Sequence, residues 1–360
     1  MRLLTCHRQK SATLPFRQRH RSDTASVSIT RSTGIDLNPF RIGGIHQVPR
    51  HHRQTKGKSP VPAILHFLVA AAITSAASGA SSSANTTPVV IPFEQDKDHR
   101  IYVRGSVNRS EPLRFLVDTG ADGLAISRAI VPKASVVIDD RTENTGSDGV
   151  TTMDYSTRND VEIGGLHTRM GAVVVDYRNR PFDAVLGWKF FEGKVVEIDY
   201  DRQQLLVHRS LPDVTGYTRA NVRWIDNTPA IEVTLGNGDA VVKPWLALDT
   251  GSNGSIDLSY AYSSRHGLME VFTQKVGTSR STGSAGNVIR AVDVRVPSAS
   301  IEGLTIVNSA ASFPIDDDAS TGDGTIGAGI LRQFNMLLDM KTGEVYLRRN
   351  QYVGVEPGRK

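Results

Sequence analysis

From Pro88 onward the chain alternates short apolar-polar runs with turns rich in Gly, Asn, Asp and Pro. Period-2 alternation of this kind predicts half-buried strands. In the first half the runs IYVRGSVN, LRFLVD, DVEIGGL, MGAVVVDY, KVVEIDY and QLLVH read as strands, and in the second AIEVTLGNG, WLALD, VDVRVPSASI, MLLDM and EVYLRR. Helical spacing is rare and short, clearest over residues 258–266 and 329–334. The pattern predicts a mainly β body.

Ahead of that body the pattern changes twice. Residues 61–73 (VPAILHFLVAAAI) form the long apolar stretch of the chain, preceded by Lys56 and Lys58 and followed by TSAASGASSSA. A positive end, an apolar run and small residues are the order of a secretory signal, with cleavage near Ala80 or Ala84. The competing reading is a retained membrane anchor, but a span needs about twenty apolar residues and this run gives way to Ser and Ala first. Residues 1–58 hold twelve Lys and Arg against Asp23 and Asp36, and no Glu. They show no sustained helical or strand periodicity, so the expectation is a basic, disordered extension or a misassigned start. An organelle-targeting sequence is the alternative. Sequencing the natural amino terminus distinguishes them, since an intact Met1 defeats a misassigned start.

Charge, read locally, removes one function class. The formal net charge of +5 is the sum of +10 over residues 1–58 and −5 over the rest, which has more acids than bases. The body therefore has no electrostatic footprint for a phosphate backbone, and no nucleic-acid partner is expected. Cys6, the single cysteine, also lies in the extension, which removes disulfides, thiolate metal sites and a cysteine nucleophile from the body. The expected organisation is an extension over 1–59, a signal peptide over 60–84, and two domains over 85–212 and 213–360.

Those two domains are suggested by an internal repeat. FLVDTGA at Asp118 is answered by LALDTGS at Asp249, an offset of 131. TGSDGV at Thr145 is answered by TGSAGNV at Thr282, and IGGL at Ile163 by IEGL at Ile301, at offsets of 137 and 138. LGWKFFEGKVVEID from Leu186 is answered by IGAGILRQFNMLLD from Ile326 at 140, with twelve positions from Gly187 to Asp199 and from Gly327 to Asp339. Slow growth of the offset is what loop insertions in a duplicated domain produce. One D-T-G is expected by chance in fewer than about 0.1 copies in a chain of this length.

Each D-T-G ends an apolar strand in a tight turn, so an Asp is delivered on a rigid element while Gly lets backbone come close. A lone copy reads as an Asx-turn closing a hairpin. A duplicated copy can bring two carboxylates face to face, where they share a proton. Such a pair can polarise a water: the charged member takes its proton as it attacks a carbonyl, and the protonated member donates to the carbonyl oxygen.

On these motifs, FLVDTGA with AVLG and LALDTGS with TIGAG, the sequence over about residues 97–350 resembles the aspartic proteases, in the two-lobed pepsin-like arrangement of retropepsin-like halves. The resemblance implies two similar β-barrel-like lobes related by a pseudo-twofold axis, with a cleft between them. It implies Asp118 and Asp249 as the catalytic dyad, Thr119 and Thr250 locking the two loops together, and Gly120 and Gly251 giving backbone access to the water. It places Val185-Leu186-Gly187 and Thr325-Ile326-Gly327 beside the loops, the second starting with Thr where the family has an aliphatic residue. Ser252 stands where the first copy has Ala121, and a Ser252 hydroxyl donating to Asp249 would make Asp249 the charged member. The family also covers its cleft with a hairpin flap. TGSDGVTTMDY and TGSAGNVIRAV are the candidates, their tips made mobile by Gly146, Gly149, Gly283 and Gly286, while Tyr155 reads better as an ordinary strand aromatic than as a flap tyrosine.

Other signals carry less. TGSDG and TGSAG lack the first Gly of a serine-nucleophile elbow and read as flexible turns. His99, His167, His208 and His266 have no ligand spacing, and the acidic run at Asp316 lacks the Gly of an EF-hand loop. GAGILR lacks a third glycine for dinucleotides. The expectation is an exported, monomeric aspartic endopeptidase that acts on a peptide or protein substrate and needs no metal or cofactor. A non-catalytic pepsin-like protein that binds peptide or glycan is the rival, as is a pairing of lobes between chains.

Overall fold

The computed structural model describes residues 2–3, 7–10 and 87–354, apart from 308, 317–319 and 321. All of them fall in one compact unit. The apolar run at 61–73, the cleavage positions near Ala80 and Ala84, and most of the basic extension lie outside the described residues.

The body is mainly β, as the alternation predicts. In the first half a nine-stranded sheet runs in the order Arg2–Leu3, Asp140–Gly146, Gly149–Ile163, Leu166–Val175, Leu124–Ser127, Ala184–Gly187, Leu113–Asp118, Ile101–Val107, Glu94–Gln95. In the second half another nine-stranded sheet runs Val222–Ile225, Thr228–Glu232, Trp245–Asp249, Gly324–Gly327, Ile256–Leu258, Ala310–Pro314, Val288–Arg295, Lys275–Thr282, His7–Lys10. A four-stranded sheet, Ala240–Val242, Thr234–Asn237, Ser298–Ile301 and Leu304–Ile306, packs with the second half.

A six-stranded sheet takes strands from both halves, centred on Val195–Asp199 beside Phe334–Asp339. These two run antiparallel with Glu197 opposite Leu337, its own counterpart at the repeat offset of 140. Asn335 fastens the junction. Its Oδ1 accepts from the Tyr200 backbone N–H at 3.0 Å, and its Nδ2 donates to Asp201 at 2.9 Å. The matched residues Asp199 and Asp339 cap the turns that follow them, accepting from the N–H groups of Arg202 at 3.0 Å and Lys341 at 2.8 Å.

The strands that end in D-T-G are buried on both faces, which is why they read as continuous apolar runs. Phe115 and Val117 enter the main core, whereas Leu116 between them packs with Tyr102, Ala125, Val173, Phe182 and Val185 on the other side. Each such buried aliphatic or aromatic side chain contributes about 1.5–3 kcal/mol.

Two differences from the sequence reading share a cause. Asp140–Gly146 (DRTENTG) and Lys275–Thr282 (KVGTSRST) form the outer strands of long hairpins without an alternating apolar pattern, because these strands are largely exposed. Two pieces of the basic extension are also paired: Arg2–Leu3 runs parallel to Thr145 and Gly146, and His7–Lys10 antiparallel to residues 279–282. Edge pairing of this kind is made by backbone groups and needs no side-chain periodicity.

Candidate active site

The sequence brings Asp118 and Asp249 to the ends of equivalent strands, and the sheets place them alike. Leu113–Asp118 pairs in parallel with Ala184–Gly187, Asp118 opposite Gly187, and Trp245–Asp249 pairs in parallel with Gly324–Gly327, Asp249 opposite Gly327. After each Asp the chain turns back over its own strand end. The N–H of Gly120 donates to Asp118 Oδ1 at 2.9 Å, and that of Ser252 to Asp249 Oδ1 at 2.7 Å.

The turns are tied to each other by reciprocal bonds. Thr119 Oγ1 donates to the Leu248 carbonyl and Thr250 Oγ1 to the Val117 carbonyl, each at 2.8 Å. Each Oγ1 also accepts the other threonine's backbone N–H at 3.1 Å. These groups are buried, so each bond replaces water that cannot reach them, and losing one leaves an unsatisfied partner. Gly251 passes against the first carboxylate: a Cβ built there would stand 2.5 Å from Asp118 Cγ and Oδ2. Asp118, Asp249, Thr119, Gly120, Thr250, Gly251 and Ser252 are thus all in one place.

Both carboxyl groups are removed from water, Asp118 at 1% exposure and Asp249 at 0%. Val117, Leu186, Phe191 and Ile198 line the space beside Asp118. The proton affinity of Asp249 is driven well above the usual carboxylate range, first by burial and then by the Asp118 charge, with a side-chain hydrogen bond to Asp118 adding to it. The Ser252 N–H opposes this shift without cancelling it.

The expectation that a Ser252 hydroxyl keeps Asp249 charged is corrected here. The Ser252 backbone N–H makes the bond to Asp249, while its Oγ accepts from the Gly254 N–H at 3.0 Å, bracing the turn. Asp249 is therefore pushed toward the protonated form. The reason is local: the hydroxyl oxygen braces the Gly254 N–H two residues further on, and desolvation of Asp249 outweighs the single backbone bond it receives.

Tyr155 sits in the body of its strand, opposite Val173, with its hydroxyl over Gly171 and its ring against the second apolar cluster. Tyr177 was not indicated by the sequence. Its hydroxyl is buried with no hydrogen-bond partner among the described residues, its ring meets Phe182 edge-on at 5.0 Å, and burial together with the Asp118 charge keeps its proton on. Nothing about its position just after a strand distinguishes it from a packing aromatic, so no sequence signal would have found it.

The two candidate flap segments are both hairpins, and their tips meet. Asp148 in the first tip accepts backbone N–H groups of the second, from Ala285 at 3.0 Å and Asn287 at 2.7 Å. Each tip is thus bonded to the other.

A family profile described as "Aspartyl protease" matches residues 103–190, which include Asp118, Thr119, Gly120 and the AVLG strand. No curated protein matches the chain. The profile match supports an aspartyl protease family, and with it a hydrolase of the protease class. No helix among the described residues is long and apolar enough to cross a membrane.

Proposed function

We propose that the chain is an aspartic endopeptidase of the acid-protease fold, whose two lobes, over residues 85–212 and 213–360, are related by a pseudo-twofold axis and hold an extended peptide in the cleft between them. The observation that carries this reading is the pair of buried carboxyl groups, one from each half of the repeat, on turns locked together by Thr119 and Thr250, with the Asp118 charge raising the proton affinity of Asp249. The recurrence of the same parallel pairing beside each Asp, and of Glu197 facing Leu337 across the central sheet, supports the pseudo-symmetry.

In this reading the pair holds one proton between pH values where a lone buried carboxylate would lose it and where two would both keep theirs. A water between the carboxyl groups gives a proton to the charged member as its oxygen bonds to the peptide carbonyl carbon. The protonated member donates to the carbonyl oxygen. As the tetrahedral species collapses, one of its hydroxyls returns a proton to the pair while C=O re-forms and the C–N bond breaks, and the departing nitrogen takes a proton from the pair, which is left singly protonated as it began. The residues supply the proton traffic themselves, so no metal or cofactor is assigned. A peptide or protein substrate, a monomeric state and export after removal of residues 60–84 belong to the same proposal.

The test is hydrolysis of an unfolded protein from acidic to neutral pH by the wild type, Asp118→Asn and Asp249→Asn. Turnover confined to the wild type is expected. Equal turnover by all three, or none by any, overturns the reading, and the second outcome favours a non-catalytic binding protein.

A further inference from the structure

We infer that Asp148 is a positioning residue, a latch that fastens the hairpin of the first half to that of the second and holds both down over a peptide in the cleft. Its catalytic consequence rests on the proteolytic reading above; its structural consequence does not.

Asp148 stands in the turn between Asp140–Gly146 and Gly149–Ile163 and is only 6% exposed. Beyond the Ala285 and Asn287 N–H groups held by its carboxylate, its carbonyl accepts from Asn287 Nδ2 at 2.8 Å. Asn144, fully buried, donates through Nδ2 to Ser284 Oγ at 2.8 Å. A carboxylate held by backbone N–H donors makes charge-assisted bonds, the stronger class of hydrogen bond.

The tips are shaped for this contact. A Cβ at Gly283 would stand 2.3 Å from Asp148 Oδ1, and one at Gly146 would stand 2.4 Å from Ser284 Oγ. The glycines of the two T-G-S repeats therefore permit close approach of one tip to the other. The repeat is also broken where the latch needs it: Asp148 has Ala285 as its counterpart in TGSAG, so the acid comes from one half and a donor from the other. Two acids would repel and two alanines would leave the N–H groups unmet.

The experiment places spin labels at the exposed positions Val150 and Val288, through Val150→Cys and Val288→Cys in a Cys6→Ser background of the full chain. The wild-type latch predicts strong dipolar coupling between the labels, lost in Asp148→Ala and weakened in Asp148→Asn, which keeps the shape and one acceptor oxygen. Coupling that is weak in the latched protein, or unchanged by both substitutions, overturns the inference. Should Asp148→Ala fail to fold, Asp148→Asn decides. With an extended eight-residue peptide as substrate, Asp148→Ala should raise KM about tenfold and leave kcat within about threefold, the signature of lost uniform binding. A fall in kcat with KM unchanged contradicts a positioning role. Asp118→Asn should abolish turnover and leave the coupling intact, so a wild type without hydrolysis counts against the proposed function while the labels still judge the latch.

Discussion

Two of the places where the halves touch are built on different principles. At the Asp turns the contact is reciprocal: each threonine gives the other half what it receives, and apolar strands buried on both faces stand behind it. At the hairpin tips the contact is one-sided, its polar side chains Asp148 and Asn144 coming from one half and meeting groups of the other, carried on strands that are largely exposed. A reciprocal buried contact has no alternative partner in water and stays fixed; a one-sided contact near the surface can exchange its partners for solvent and open. Groups that must keep an exact spacing belong on the first, and groups that control access belong on the second.

The comparison can be broken at either end. The largest effect is expected at the acids: Asp118→Asn should lower kcat/KM about a thousandfold or more, measured on an unfolded protein substrate, in line with loss of an acid-base group. Next comes the reciprocal lock. Thr119→Val keeps the shape but strips the Thr250 N–H of its acceptor, a cost of about 1–3 kcal/mol seen as a lowered Tm.

Asp249→Asn should act on stability in the opposite direction and depend on pH. The folded chain binds the Asp249 proton more tightly than the unfolded chain does, so this group favours the fold at acid pH and its contribution is lost as pH rises toward the elevated folded value. The variant should gain in Tm over the wild type at neutral pH, with the gap closing in acid; a gap independent of pH would be the contrary result. The smallest effect is reserved for the exposed pair between Arg290 on the second hairpin and Asp316 after the neighbouring strand, both side chains 56% exposed. Arg290→Ala should change stability by less than about 1 kcal/mol, which separates an ornamental charge on the hairpin from Asp148.

Legibility in the sequence followed the same division. The strands ending at Asp118 and Asp249 were readable because burial on both faces writes an unbroken apolar run, and their duplication located the carboxyl pair. The hairpins were readable only as matched T-G-S turns, since DRTENTG and KVGTSRST bury too little to show a period. What a side chain bonds to was harder still. Ser252 was placed correctly beside Asp249, but spacing cannot say that its backbone, not its hydroxyl, meets the carboxylate. Asp148 and Asn335 act across more than a hundred residues, and only the fold brings them to their partners.

The central claim is that Asp118 and Asp249 behave as one titrating unit. It is tested most directly by following the side-chain carboxyl carbons of 13C-labelled aspartate by NMR through a pH titration of the wild type and of Asp118→Asn. The account predicts that Asp249 titrates well above the usual carboxylate range in the wild type and moves down when the Asp118 charge is removed, though not fully, because burial persists. An Asp249 that titrates in the ordinary range, with no response to Asp118→Asn, would contradict it.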